Sequence, residues 1–406
     1  MTSPPLEDGA VRLEAGRILE VGRWEDLRRR GGSTCHDLGD VALLPGLVNA
    51  HCHLAYTCLA GSIPPPSSFT GWIHSIKAAK DTCSEAELQA SWRQGAEMLL
   101  RNGVTTVGDA EAFPGLLPGT ARATPLQVLP FLELIRIRAD LDAMEPVHQV
   151  RETLARLGRA GLRAGLSPHA PYSTTPALLR ACARESAANR LRLMIHVAES
   201  REEFDMFLRG RGPLHDWLQA NGRDVSDCDG TSPVAQLART GVLGPATIAV
   251  HVNYLAEGDA ALLGESGTSV VHCPRSHDYF GHEPFPLARL QAAGVGISLG
   301  TDSLATTRTS QGRLPELDLL PEMALFSRRH PGVPPGQILH MATAGGAATL
   351  GLAGEVGAIT AGGRADFLLV PATGDVPAVL EALVGGAMRP CGVILGGNRF
   401  GAEEEA

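Results

Sequence analysis

The sequence predicts an α/β protein, a closed (β/α)8 TIM-type barrel carrying a small β-sandwich built from both chain ends. Three observations carry that prediction. Eight short β-branched or apolar runs alternate with stretches of helical periodicity. Histidines and one aspartate fall at the ends of those runs, where a barrel of this kind keeps its chemistry. Both ends of the chain read differently from the middle, as short alternating strands with Gly turns.

Taken in order, DGAVRLEAGRILEVGRWEDL (8–27) opens the chain with such strands, the first of which reads as clipped. The barrel strands follow as VALLPGLVNAHCH (41–53), VTTVGDA (104–110), LQVLPFLELIRIR (126–138) and LRAGLSPHA (162–170). The second four are RLMIHVAES (192–200), TIAVHVN (247–253), TSVVHCP (268–274) and VGISLGTDS (295–303). Between them EAELQASWRQGAEMLLRNG and ALLRACARESAANR space their apolar residues as amphipathic helices do. EVGAITAGGRADFLLV (355–370) and VILGGNRF (393–400) return to short strands. The expected division is a composite sandwich from 1–42 and 354–406 around a barrel from 43–353.

Bulk properties narrow the function. At 406 residues, 44% hydrophobic and 19% charged, the chain has a soluble enzyme's composition and room for one large barrel plus a smaller unit. A net charge of −9 gives no basic footprint for nucleic acid or anionic lipid. No apolar stretch approaches the roughly 20 residues of a membrane span. The start, MTSPPLEDGAVRLEAG, lacks a charged n-region and an apolar h-region, so no signal peptide is expected. The 8 cysteines form no CxxC pair and read as reduced thiols, which predicts a cytoplasmic protein; with no signal for nucleic acid or membrane, the expected partner is a small-molecule substrate.

Side chains at i and i+2 share a strand face, so His51 and His53 point the same way. Alone the pair says little: 14 histidines in 406 residues give about half of one HxH by chance, and two surface histidines would look the same. The ensemble says more. His51 and His53 end strand one, His169 ends strand four and His196 lies on strand five. His251 ends strand six, His272 strand seven and Asp302 strand eight. These would converge on one rim, and imidazoles with a carboxylate make a good Zn²⁺ set that leaves a position open for water.

HCHL after LLPGLVNA, SPHAPYS, HVAES, VHVN, HCPRS and LGTDS resemble the strand ends of the amidohydrolase superfamily. The chain is most similar to the chlorohydrolase-like deaminases of cyclic amidines, which include guanine, S-adenosylhomocysteine and aminodeoxyfutalosine deaminases. GRILEVG, GAITAGGRADFLLV and the helix MATAGGAATLGL (341–352) extend the resemblance to both flanks. It implies that His51, His53, His196 and Asp302 ligate one divalent metal, zinc first and iron second. It implies Glu199 as proton shuttle, His251 as the contact to the attacking water or the tetrahedral species, and His169 as a hydrogen-bond partner of the substrate ring. Strand four carries His169 in place of the bridging lysine of two-metal relatives, which favours one metal and deamination. Barrels of this family commonly pair, which implies a homodimer.

The chemistry needs these groups. A bound divalent ion lowers the pKa of water from about 15.7 toward about 7. Attack on the amino-bearing carbon requires protonation of the adjacent ring nitrogen, which suits Glu199, while Asp302 can take the other proton for departing ammonia. A bland alternative makes Glu199 a helix-start carboxylate in ESREEF.

For substrate recognition, Trp72 in SIPPPSSFTGWIHSIKAAKD either stacks on a heterocycle or anchors a helix. Nucleoside-binding relatives carry a glutamate shortly after that tryptophan to hold the ribose, whereas here the chain reads KAAKD, with Lys80 and Asp81. Arg136 and Arg138 either grip a substrate carboxylate or form ordinary salt bridges. HCPRSHDYFGHEPFP departs from the family with His277, His282 and several aromatics, pointing to a large, partly aromatic substrate. A second metal there lacks a carboxylate set. The expected activity is release of ammonia from a 6-aminopurine nucleoside with a bulky 5′ group. Aminodeoxyfutalosine, on a menaquinone route, comes first; S-adenosylhomocysteine or methylthioadenosine follows, then guanine-type bases, then a chlorohydrolase substrate. A non-catalytic scaffold should have lost ligands, and this chain keeps every one.

Overall fold

A computed structural model describes residues 5–30, 34–121, 123–310 and 312–400; the outer ends of the predicted sandwich, 1–4 and 401–406, lie outside the described residues. The chain opens with a hairpin of β1 (Gly9–Glu14) and β2 (Arg17–Arg23). The run expected as barrel strand one then proves to be two strands, β3 (Val41–Pro45) and β4 (Leu47–Cys52). They part at Gly46, where a Cβ would collide with the Thr105 side chain. The Gly46 N–H bonds to Asp366 O at 3.0 Å, which turns the chain from one sheet into the other.

β4, β5 (Val104–Glu111), β6 (Gln127–Leu134), β7 (Gly165–Pro168), β8 (Leu193–Val197), β9 (Thr247–His251), β10 (Ser269–His272) and β11 (Ile297–Leu299) form one eight-stranded sheet in chain order, each parallel to the next. The last seam, from β11 back to β4, closes just beyond β11. There Thr301 and Asp302 donate their N–H groups to His51 O at 3.0 and 3.2 Å. Asn49 Nδ2 donates to Thr301 Oγ1 at 2.8 Å and Asn49 Oδ1 accepts from Thr301 N–H at 3.1 Å. Gly300 permits the approach, since a Cβ on it would lie 2.8 Å from His51 O.

The barrel interior is packed. Val48, Phe131, Met194, Val250 and Val271 share a buried cluster with Leu350 from the helix Ala344–Leu350. Outside, the helix Glu85–Arg101 buries Leu88, Trp92, Ala96 and Leu99, the three- and four-residue spacing of one helical face. Ser84 and Glu87 form a capping box at its start, which contributes about 1 kcal/mol. Trp92 Nε1 and the Leu54 N–H both donate to the buried Asp109 of β5, at 3.0 and 2.9 Å. Burial nevertheless pushes that carboxyl up to about 7. These bonds tie the turn after His53 to the neighbouring strand.

β12 (Phe367–Pro371), β13 (Gly392–Leu395) and β14 (Asn398–Phe400) complete a second, antiparallel sheet in the order β14-β13-β12-β3. The β1–β2 hairpin is stitched to it by Ile18 N–H to Gly363 O and Ala365 N–H to Gly16 O, both 2.9 Å. Ile18, Ala365, Phe367, Leu369 and Ile394 form its core. Both chain ends therefore build the small β unit. Among the described residues, no helix is long and apolar enough to cross a membrane.

A candidate metal centre at the barrel mouth

His51 lies near the end of β4, where the register with β5 slips between Asn49 and Cys52. An irregularity of this kind re-aims the side chains beyond it. The rings of His51 and His53 meet edge to face with centroids 4.8 Å apart. His196 on β8 lies 5.0 Å from His51 and 5.3 Å from His53, while His251 at the end of β9 lies 5.5 Å from His196. The ligand atoms of His51, His53 and Asp302 fall within 4.8 Å of one another. So do those of His51, His196 and His251, and those of Glu199, His251 and Asp302. All six residues are buried.

Hydrogen bonding fixes which way the imidazole lone pairs point. His53 Nδ1 lies 3.1 Å from Ala110 O and His196 Nδ1 lies 2.9 Å from His169 O. A carbonyl only accepts, so both Nδ1 atoms carry the proton and both Nε2 atoms carry a bare lone pair. Those two Nε2 atoms face each other at 3.3 Å. Neither can donate. The buried His51 Nε2 has no hydrogen-bond partner, and Asp302 Oδ1 stands 3.7 Å from it and 3.6 Å from His53 Nε2. Inward lone pairs beside a carboxylate are satisfied by a cation, so this donor set fits one divalent metal ion.

Burial, before any other influence, pushes His53 and His196 well below the usual imidazole range and His251 down to about 3, which keeps all three neutral. Burial alone would raise Asp302, yet the surrounding imidazoles of His51, His251 and His53 hold it well below the carboxylate range. Thr306 Oγ1 donates to Asp302 Oδ2 at 3.1 Å, leaving Oδ1 toward the histidines. Burial pushes the Glu199 carboxyl up, and the nearby Asp302 and Glu203 add to it. A buried carboxyl that holds its proton can give it to a ring nitrogen.

The backbone at these strand ends is strained. Ala198, His251, Val252 and Asp302 have φ of 50°, 75°, 50° and 55°, a region costly for side chains with a Cβ. Glu203 holds the first of these in place. Its fully buried carboxylate accepts the N–H groups of Ala198 and Glu199 at 3.0 and 2.8 Å. From the other side Asn253 Nδ2 donates to Glu199 O at 2.9 Å, and Asn253 Oδ1 accepts from His277 Nδ1 at 3.0 Å. His277 therefore supports the Glu199 segment.

His169 touches the cluster through its carbonyl, and its Nδ1 lies 2.6 Å from Ser173 Oγ. Trp72, on the helix Phe69–Asp81, stands edge-on to Phe280 at 5.2 Å and beside Phe69 at 5.8 Å. Phe280 stacks on His282 at 5.4 Å, so the loop after β10 and this helix share an aromatic wall. Phe69 and His169 both meet Tyr172 edge-on, which links the wall to the cluster. His272 instead stacks on Phe285 at 3.9 Å. Arg136 and Arg138 are not brought into the cluster. β6 ends at Leu134, and the Arg136 N–H turns to Ser173 O. Arg136 pairs with Glu145 at 2.7 Å and Arg138 with Asp140 at 2.6 Å, the salt-bridge alternative of the sequence reading.

Sequence reasoning missed Glu203, although its place four residues after Glu199 on the following helix, Arg201–Arg209, was a usable signal. It also passed over Glu111, Glu133 and the inward reach of Lys80, for which local spacing gives no signal.

A family model described as the amidohydrolase family matches residues 42–398. The 5-methylthioadenosine/S-adenosylhomocysteine deaminase of Syntrophobacter fumaroxidans is 31% identical over 383 residues, covering 90% of this chain and 80% of that protein. The aminodeoxyfutalosine deaminase of Deinococcus radiodurans is 29% identical over 356 residues, 84% of this chain and 81% of its own. Among solved structures, an adenosine deaminase from Xanthomonas campestris with bound zinc superimposes with a TM-score of 0.83 at 25% identity, covering 97% of this chain and 88% of that one.

Proposed function

Because this chain belongs to the amidohydrolase family, we propose that it is a metal-dependent aminohydrolase releasing ammonia from the 6-amino position of a purine nucleoside with a bulky 5′ group. The observation that carries this reading is the meeting of His51, His53, His196 and Asp302 with Glu199 and His251 in one buried knot. The four ligands would hold a single divalent ion, zinc first. When bound, that ion would supply a strong oxygen nucleophile at neutral pH.

The chain's own groups do the rest. Glu199, protonated by virtue of its burial, donates to the ring nitrogen beside the attacked carbon. His251, 3.7 Å from Glu199 Oε1 and neutral, donates to the tetrahedral species more strongly than to the flat ring. Asp302 accepts the second proton and passes it to departing ammonia. His169 orients the ring, and the Phe69–Trp72–Phe280 wall covers the 5′ group.

The two salt bridges bear on the 5′ group. An aromatic carboxylate, as in aminodeoxyfutalosine, would need a free guanidinium, and both candidates are already neutralised. That ranks 5′-methylthioadenosine, whose 5′ group carries no carboxylate, ahead of it, and the similarity to 5-methylthioadenosine/S-adenosylhomocysteine deaminases supports the same order. The test is ammonia release from each compound by protein loaded with one equivalent of zinc or iron. Glu199→Gln should keep the metal and lose turnover by about 10²- to 10⁴-fold. Deamination by that variant at the parent rate would remove Glu199 as the proton carrier.

A further inference from the structure

The mouth carries charged groups that the reaction above leaves unused. Glu111 ends β5, and Glu133 lies near the end of the adjacent β6. The Glu133 side chain is 6% exposed, stands 3.9 Å from His169 Nε2, and receives no hydrogen bond from the described residues. Glu111 accepts the Phe113 N–H through Oε1, while its Oε2 is buried with no partner. Across from them, Lys80 reaches in from the helix Phe69–Asp81. Its ammonium lies 4.8 Å from the centre of the Tyr56 ring and 5.8 Å from that of Phe113. Tyr56 in turn stacks on His53 at 5.4 Å. The ammonium is thus one ring removed from the candidate metal ligands. It makes no ion pair among the described residues; burial pushes the Glu111 and Glu133 carboxyls up, and the Lys80 charge opposes that push.

Glu133 has no donor, Glu111 Oε2 has none, and the Lys80 ammonium has no carboxylate paired with it among the described residues, which leaves unmet demand on three sides. Lys80 repels a cationic ligand, and two buried carboxyl groups offer an anionic one no cation of their own. A neutral ligand bearing neighbouring hydroxyls meets all three: each O–H donates to a carboxylate, and its oxygen accepts from the ammonium. The position beside His169, the residue assigned to the base, is where a ring attached to that base falls. We infer that Glu133 and Glu111, with Lys80, form a hydroxyl-binding subsite that takes the sugar ring of a nucleoside. The inference rests on the deaminase reading, and it makes the enzyme specific for ribonucleosides over free bases and deoxygenated sugars.

The experiment compares metal-loaded parent and Glu133→Gln on 5′-methylthioadenosine, its 2′,3′-dideoxy analogue and adenine, by ammonia release. The parent should prefer the ribonucleoside by at least about 100-fold in kcat/KM, since a site built around hydroxyls rejects a ligand that lacks them. Glu133→Gln should lower kcat/KM roughly 100-fold on the ribonucleoside and less than about 3-fold on the dideoxy compound. A general loss of structure would lower both alike. Should Glu133→Gln fail to fold, Glu133→Asp shortens the reach by one methylene and should show the same selective loss. Equal parent rates on the two nucleosides, or an equal loss on both in the variant, overturns the subsite. So does a parent active on free bases alone, although deamination as such then stands. Ammonia from none of the compounds refutes the deaminase reading, and the subsite with it.

Discussion

Glu203→Gln isolates the contribution of one buried carboxylate to the geometry of Glu199. In the parent, both Glu203 oxygens accept backbone N–H groups, from Ala198 at 3.0 Å and Glu199 at 2.8 Å. Burial pushes this carboxyl up to about 8, but a protonated carboxyl still has lone pairs on both oxygens. A glutamine amide does not: its nitrogen would turn a donor toward a donor. One charge-assisted or strong neutral bond is lost at a fully buried carboxyl, which costs about 2–3 kcal/mol of stability. The second effect is kinetic. Ala198 is held at a φ of 50°, and once the clamp loosens the strained backbone relaxes and carries Glu199 with it. A displacement near 1 Å can lower turnover by about 10²-fold. Urea unfolding, bound metal per chain and kcat by ammonia release separate the two effects. The variant should keep its metal, unfold earlier and turn over slowly. Unfolding free energy within about 0.5 kcal/mol of the parent, with kcat within about twofold, would refute the clamp.

His196→Ala should abolish stoichiometric metal, measured on the purified protein, because the remaining donors no longer surround one point; a full equivalent retained would take His196 out of the ligand set. Acid should weaken the metal-free protein. Burial holds His251 to about 3 in the folded chain, whereas unfolded it titrates near about 6.5. Below about 6.5 the unfolded state therefore binds the extra proton, and stability falls with pH toward about 3, by up to about 1.4 kcal/mol per unit for this group. Denaturant titrations of the metal-free parent and His251→Asn at several pH values should give the variant the flatter dependence; equal slopes would assign the effect elsewhere. Arg138→Ala should leave kcat/KM within about twofold, since its guanidinium is 58% exposed and already paired with Asp140. A tenfold loss would show that this arginine reaches the substrate.

The strand ends were legible because a barrel makes distant sequence positions equivalent. HCH, HVAE, VHVN and LGTDS each pair an apolar run with a polar stop, and that local signal survives without knowledge of the fold. Two kinds of information were not local. The division of 41–53 at Gly46 depends on Thr105 and Asp366, far along the chain, so one apolar run concealed two strands in different sheets. The roles of Glu133 and Lys80 depend on which charges burial brings together, and an ordinary LEL or KAAKD carries no mark of that. Arg136 and Arg138 show the opposite failure. Their spacing suggested a strand face, but the strand stops before them because the chain turns to bond with Ser173.

His51 does two jobs at once: its ring joins the ligand cluster, and its carbonyl receives the N–H groups of Thr301 and Asp302. Like a hoop drawn round staves, that join unites chain segments 252 positions apart, as the Asn49–Thr301 bond shows. Closing so long a loop is slow, because chain entropy is given up before any contact repays it. A ribosome must therefore deliver the chain through Asp302, about three quarters of it, before the candidate ligands can meet. A product cut short ahead of the eighth strand would be an open ribbon with two raw edges, and it would lack Asp302.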